Sequence, residues 1–200
     1  LISDNTVCVG ISAMTGDQIN NGLYLANLVR INNSSLPIIW GGIHPTLLPE
    51  NTAQHPLVDI VVIGQNPATF KKLVIKLSQQ DSWESLPNIC YLDINGNIQS
   101  NHNDTQLPYT INLDELKPLP YHLLEMEKYI TGRFTFYKAI RALPYISSFG
   151  CPHNCSFCCQ PMISKRCWQK QSAEIVVENI LNLKEKYNLD GIDFQDENFL

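Results

Sequence analysis

Residues 58–64 read VDIVVIG, and after Asp59 the stretch 60–64 is an unbroken apolar run, rich in β-branched side chains and too short to make a helix of its own. A strand that is apolar at every position is covered on both faces, which in soluble proteins points to a parallel sheet between helices. The residues that follow suit that reading. Asn66 stands where a helix cap belongs and Pro67 suits a first turn, while Phe70, Leu73, Val74 and Leu77 recur at i, i+3, i+4 and i+7. Upstream, LPIIWGG at 36–42 is a second strand of the same kind, and HPTLLPENTAQH at 44–55 is a Pro-rich loop with room for one short helix. TVCVGIS at 6–12 is another strand, and Thr15-Gly16-Asp17 turns into a helix marked by Ile19, Leu23 and Ala26 that runs to about Arg30. Short buried strands alternating with helices predict an α/β fold, a Rossmann-like parallel-sheet domain whose ligands bind at the carboxyl ends of the strands. NICYLDINGNIQ at 88–99 predicts a hairpin about Asn95-Gly96 that edges this sheet.

Beyond residue 100 the chain becomes polar and Pro-rich, and LKPLPYHLLEMEKY at 116–129 offers at most a short helix. The expected organisation is a first domain at 1–100, a connector at 101–138 and the start of a second domain at 139–200. In the last of these LPYISSFG (143–150) is a strand, 172–187 a helix with Val176, Ile180, Leu183 and Tyr187 on one face, and GIDFQDENF (191–199) the next strand. The chain opens at Leu1 rather than Met and stops just after a strand, so it is expected to be a piece of a longer protein.

With 44% hydrophobic and 16% charged residues the chain has the composition of a folded domain rather than a disordered one. A net charge of -5 without long runs of like charge gives no reason to expect nucleic acid or an anionic membrane as partner. No apolar run is long enough to span a bilayer and no signal peptide is visible, so a cytoplasmic protein is expected. Five of the seven cysteines fall between 151 and 167. That is a poor disulfide framework and a good metal or cluster site for a reducing compartment.

Within GCPHNCSFCCQ (150–160), Cys151, Cys155 and Cys158 are spaced C-x3-C-x2-C on one loop, at the carboxyl end of a strand and before a helix. Soft thiolates favour zinc or an iron-sulfur cluster. Three of them would leave one iron of a 4Fe-4S cluster free for an outside ligand, while zinc would be completed by Cys159, His153 or Cys167. The spacing alone leaves both open.

In these residues the chain resembles the radical S-adenosylmethionine (SAM) enzymes. CPHNCSFC (151–158) has that family's C-x3-C-x-aromatic-C pattern, with Phe157 matching the aromatic that lies against the adenine of SAM. RCWQKQSAEIVVENI (166–180) and IDFQDENF (192–199) look like the helix and second strand of cobalamin-dependent members, so the resemblance implies that 139–200 is the first part of a radical SAM partial (β/α) barrel, with Gln195, Asp196 and Glu197 expected to help hold the methionine amino group. VGISAMTGDQI (9–19), WGGIHPTLLPE (40–50) and VDIVVIG resemble the cobalamin-binding domain of that subfamily. The resemblance assigns Ser12, Thr15, Gly41 and Gly42 to the nucleotide tail of cobalamin, and glycines and strand-end hydroxyls suit close approach and hydrogen bonding. His44, between Ile43 and Pro45, reads as structural.

The resemblance implies a 4Fe-4S cluster, SAM and cobalamin as cofactors, an external electron donor such as flavodoxin or ferredoxin, and a small-molecule or peptide substrate. Methyl transfer to an unactivated atom is the favoured reaction, with cyclisation or rearrangement as alternatives and a zinc-stabilised binding module or inactive remnant as the non-enzymatic one. Methylthio transfer would need three further cluster cysteines in the first domain, where only Cys8 and Cys90 occur. The usual first βα unit with its Asp-x-His-x-x-Gly motif has no counterpart, and Gln65-Asn66-Pro67-Ala68 replaces the acidic turn often seen after the third strand.

Overall fold

The computed structural model describes residues 2–3, 5–102, 112–130 and 141–199. Two compact units, Leu1–Pro108 and Tyr109–Leu200, divide the chain. Of the expected 101–138 connector, 103–111 and 131–138 lie outside the described residues.

In the first unit β1 (Val9–Ser12), β2 (Ile38–Gly41) and β3 (Ile60–Val62) lie side by side in sequence order and in parallel register. Helix α1 (Asp17–Asn32) connects the first pair, and two short helices, α2 (Ile43–Leu47) and α3 (Pro49–Ala53), connect the second. The hairpin of β4 (Ile89–Leu92) and β5 (Ile98–Ser100) then adds two antiparallel strands, after α4 (Pro67–Gln79). Strand alternation sends Ile38, Trp40, Val61 and Ile63 to one face, where Ala26 and Val29 of α1 and Ala53 of α3 cover them. Ile39, Ile60 and Val62 go to the other face, under Leu73 of α4. Both faces are therefore filled, and this is why β2 and β3 carry no polar side chain.

Two local expectations are corrected, and a third, the hairpin about Asn95-Gly96, is met with an added support. Residues 44–55 form two helices rather than one, because Pro49 cannot continue the hydrogen bonding of α2 but fits the first turn of a new helix. Asn66 makes no side-chain cap to α4; its amide donates to the Ile63 carbonyl at 2.8 Å and closes the β3–α4 turn instead. The hairpin turn rests as much on Asp93 as on Asn95-Gly96, since the Asp93 carboxylate accepts from the backbone N–H of Asn95 at 2.9 Å and of Asn97 at 2.8 Å.

In the second unit β6 (Ala142–Tyr145) pairs in parallel with β9 (Gly191–Phe194) through α6 (Ala173–Tyr187), a β-α-β crossover. Leu143 and Tyr145 of β6 pack with Leu183 of α6, Leu189 and Met126. Met126 belongs to one of three 3-10 turns, Leu113–Glu115, Tyr121–Leu123 and Met126–Lys128, so residues 112–130 are built into this unit. The strand expected at 143–150 is broken: β7 (Ser148–Phe149) leaves the line of β6 and pairs antiparallel with β8 (Gln169–Lys170), enclosing the cysteine loop and α5 (Gln160–Ser164). Among the described residues no helix is long and apolar enough to cross a membrane.

Candidate functional site

At the carboxyl end of the first sheet the strand-end turns are laced together by main-chain and hydroxyl hydrogen bonds. Ala13 N–H donates to the Gly41 carbonyl at 3.0 Å, and His44 N–H donates to the Ala13 carbonyl at 3.0 Å. Thr46 bridges the next gap, its hydroxyl donating to the Gly42 carbonyl at 2.7 Å and accepting from Gly64 N–H at 2.9 Å. The turns after β1, β2 and β3 are thus one connected surface. Thr46 was not singled out by sequence reading; a threonine four residues after a glycine turn was the available signal.

The two glycines of the turn differ. Gly42 has φ +94°, and a β-carbon on it would stand 2.8 Å from Ser12 Oγ and 2.9 Å from Ala13 N and O, so the chain's own packing demands glycine. A β-carbon on Gly41 would meet only the Val62 carbonyl, at an ordinary 3.7 Å. The space beside Gly41 is therefore left open by the protein. Ser12 and Thr15 are exposed at the same strand end, and Thr15 Oγ1 lies 3.2 Å from His44 Nδ1. His44 is thereby tied at both its backbone and its ring, in keeping with a structural role.

The second site is the cysteine loop between β7 and α5. Cys151 is half-buried, whereas Cys155, Cys158 and Cys159 are exposed, and all are free thiols. Cys158 N–H donates to the Cys155 carbonyl at 3.1 Å, and Gln160 N–H approaches Cys158 Sγ at 3.5 Å. Phe157, between two of the thiols, is 91% exposed. Cys167 is half-buried and directs its thiol to the Lys165 carbonyl at 3.8 Å. Among the described residues no three His, Cys, Asp or Glu side chains converge as the donors of a single ion do. A cubane cluster takes each thiolate on a different iron, so three thiols spread along one exposed loop suit its donor set.

The acidic strand end meets this loop from the side of β9. Asp196 accepts from Ser147 N–H at 3.1 Å, from the Ser147 hydroxyl at 2.9 Å and from the Ser148 hydroxyl. That is the physical cause of the break between β6 and β7. Glu197 accepts from Gly150 N–H and from Gln160 Nε2, each at 2.7 Å. Gln195 is exposed and donates to Asp193 Oδ2 at 2.6 Å, and Trp168 donates to the Asn198 carbonyl at 2.8 Å. Sequence reading did not single out Gln160, Ser147, Ser148 or Trp168.

The two cysteines of the first unit are not part of any such site. Burial pushes the thiols of Cys8 and Cys90 up, and they pack on opposite faces of the sheet. They cannot share a cluster.

Comparison with known proteins bears on each of these sites. The family model described as the B12 binding domain matches residues 2–74. An uncharacterized methyltransferase of Pyrococcus horikoshii is 32% identical over 193 residues, 96% of this chain and 39% of that protein. Residues 2–74 thus match a B12-binding domain, and the chain is similar over 96% of its length to a methyltransferase. Two solved structures share the fold. A structure of the cobalamin-dependent S-adenosylmethionine radical enzyme OxsB, with aqua-cobalamin and S-adenosylmethionine bound, superposes with a TM-score of 0.71 at 24% identity, covering 96% of this chain and 26% of that one. The radical S-adenosylmethionine methyltransferase TsrM of Kitasatospora setae, with tryptophan substrate and a SAM analog, gives a TM-score of 0.70 at 15% identity, covering 96% of this chain and 37% of that one. The chain spans 31–39% of the length of the curated relatives it matches.

The strand-end surface of the first unit lies within the matched B12-binding region, which includes Ser12, Thr15, Gly41, Gly42 and Thr46. The cysteine loop lies beyond it, in the second unit.

Proposed function

We propose that the protein is a radical SAM methyltransferase that holds a 4Fe-4S cluster on Cys151, Cys155 and Cys158 and uses cobalamin as its second cofactor. When bound, the cluster supplies one electron for reductive cleavage of SAM, and cobalamin carries the methyl group that is passed to an unactivated atom of a small-molecule or peptide substrate. The observation that carries the reading is the cysteine loop itself: three free thiols at C-x3-C-x2-C spacing, at a strand end, following a B12-binding domain. The methyltransferases among the relatives favour methyl transfer over a zinc-stabilised module.

The chain's own residues serve binding and orientation. The exposed phenyl of Phe157 gains by covering the adenine of SAM, since apolar surface of that size leaves water favourably. Gln195, Asp196 and Glu197 set hydrogen-bond acceptors at the strand end for the methionine ammonium. Gln160 N–H, aimed at Cys158 Sγ at 3.5 Å, is placed to donate to a cluster-bound sulfur. In the first unit the open backbone at Gly41, with the hydroxyls of Ser12 and Thr15, receives the nucleotide tail of cobalamin, and Gly42 keeps that turn in shape. A small redox protein of the flavodoxin or ferredoxin kind supplies the electron.

The test is anaerobic reconstitution with iron and sulfide, metal analysis, and chromatography after dithionite reduction with SAM and cobalamin. About four irons per chain are expected, with 5'-deoxyadenosine formed slowly or not at all by these 200 residues alone. One zinc and no iron would replace this reading with that of a binding module.

A further inference from the structure

The structure assigns Glu197 to a positioning role: its carboxylate holds the two feet of the cysteine loop together and so sets the thiols for the cluster, an inference that rests on the cluster reading above. Gly150 immediately precedes Cys151 and Gln160 immediately follows Cys159. Glu197 Oε2 accepts from Gly150 N–H at 2.7 Å and Glu197 Oε1 accepts from Gln160 Nε2 at 2.7 Å. One side chain from the next strand end thus bonds both ends of the loop, using one oxygen for each.

Physical chemistry gives this clasp weight. Hydrogen bonds to an ionised carboxylate are roughly twice as strong as neutral ones. An exposed loop with separated feet samples many arrangements, and tying the feet removes most of them before iron arrives. The Gln160 side chain has one orientation that suits the clasp, since turning its amide oxygen toward Glu197 would set acceptor against acceptor. In the observed orientation Gln160 Oε1 is buried without a partner among the described residues. The backbone of the same residue faces Cys158 Sγ, so the clasp and a cluster thiol are joined through Gln160. The neighbouring Asp196 fixes Ser147 and Ser148, one strand corner earlier. The two acids therefore hold different parts of the same corner. Each Glu197 oxygen retains a second lone pair, so a contact with the SAM ammonium is compatible with the clasp, and the test must separate the two.

The separation comes from measuring cluster retention without SAM. Wild type, Glu197→Ala, Glu197→Gln, Gln160→Ala and the Glu197→Ala/Gln160→Ala double variant are reconstituted anaerobically and challenged with an iron chelator while the cluster absorption is followed. Glu197→Ala is expected to lose iron roughly tenfold faster than wild type or more, the scale set by losing charge-assisted bonds. Glu197→Gln should fall between, because its single amide oxygen serves one donor well. Gln160→Ala should have a smaller effect, and the double variant should be no worse than Glu197→Ala alone. Wild-type iron retention in Glu197→Ala, with only SAM binding impaired, overturns the proposal. If Glu197→Ala does not fold, unchanged retention in both Glu197→Gln and Gln160→Ala overturns it equally. If the wild-type protein takes up no iron, the cluster reading fails on its own, and amide hydrogen exchange at Gly150 in the apoprotein decides the clasp: faster exchange in Glu197→Ala supports it, unchanged exchange refutes it.

Discussion

Gly150 passes so close to Cys167 that a β-carbon on it would lie 2.0 Å from the Cys167 carbonyl oxygen. The obstacle is backbone and cannot swing aside, and φ at Gly150 is +82°, a region that other residues enter only with strain. Gly150→Ala should therefore destabilise the second unit by on the order of 3 kcal/mol, from clash and backbone strain together. Chemical denaturation followed through the second unit's tryptophan, Trp168, would show it, and a loss well under 1 kcal/mol would mean that the loop gives way more easily than its packing implies.

The paired glycines of the first unit should separate fold from binding. Gly42→Val forces a branched side chain into Ser12 and Ala13 at a φ of +94° and should unfold or strongly destabilise the domain. Gly41→Val meets only an ordinary contact, so its melting temperature should stay within a few degrees of wild type while cobalamin affinity falls. Titration of cobalamin against both variants, with thermal melts alongside, checks this. Full cobalamin affinity in Gly41→Val would remove Gly41 from the proposed tail site.

How much of this was readable beforehand depended on how far apart the partners stand in sequence. Ile38, Ile39 and Trp40 announce a strand buried on both faces, because no polar residue interrupts them, and the parallel sheet follows from that pattern alone. The loop thiols are legible for the same reason: their spacing is local. The corner at Ile146–Ser147 was not, since it depends on Asp196, which meets Ser147 across 49 positions of sequence. Likewise an acidic residue at a strand end reads as solvated or as a ligand, and only the folded chain brings Glu197 to Gly150 and Gln160. Gly22 was passed over because a glycine within a helix reads as a mere weakness.

That glycine carries a further expectation. Gly→Ala inside a helix ordinarily stabilises by up to about 1 kcal/mol. At Gly22 the new methyl would lie 2.7 Å from Trp40 Cη2 and 3.0 Å from Ile11 Cγ2, and the Trp40 ring is held in the core at 1% exposure. Overpacking of this kind costs about 1–3 kcal/mol, so the sign should reverse and Gly22→Ala should destabilise. Trp40→Phe removes the colliding ring atom and also the indole N–H, which has no partner among the described residues. The Gly22→Ala/Trp40→Phe pair should accordingly be more stable than the two single losses added together; strict additivity would deny the contact.

Acid should loosen the second unit through Glu127. Two hydrogen bonds from Arg141, at 3.0 and 2.7 Å, and then its charge hold the Glu127 carboxyl below its usual range. Arg141 also bonds the carbonyls of Tyr187 and Asn188 at the end of α6, so the pair joins the Met126–Lys128 turn to the crossover helix. A group whose folded pKa is depressed lends stability above its unfolded pKa and loses it as pH falls through the folded one. Glu127→Gln should thus melt lower than wild type at neutral pH, and the two curves should converge in acid, below the ordinary glutamate range. The side chain is largely exposed, so the gap should be small and shrink with added salt. A gap that persists undiminished at the lowest pH would mean that the charge of Glu127 is not what matters.

The last expectation concerns which thiols carry iron. Cys158 and Cys159 are adjacent and both exposed, so exposure alone does not choose between them. Two observations do. Gln160 N–H faces Cys158 Sγ, a bond that suits a metal-bound sulfur, and Cys158 N–H closes a turn on the Cys155 carbonyl that keeps those two residues on one arc. Cys159 instead provides the carbonyl that accepts from Met162 N–H at 3.0 Å and so begins α5, which commits its backbone to the helix rather than to the arc. Cys151→Ala, Cys155→Ala and Cys158→Ala should each abolish the visible absorption of the reconstituted cluster, whereas Cys159→Ala should keep most of it. Cys167→Ala should keep it as well, because that thiol is turned to the Lys165 carbonyl. Iron and sulfide analysis of the five variants, prepared anaerobically side by side, gives the answer, and a Cys159→Ala protein as empty of iron as Cys155→Ala would show that the ligand set has been drawn one residue short.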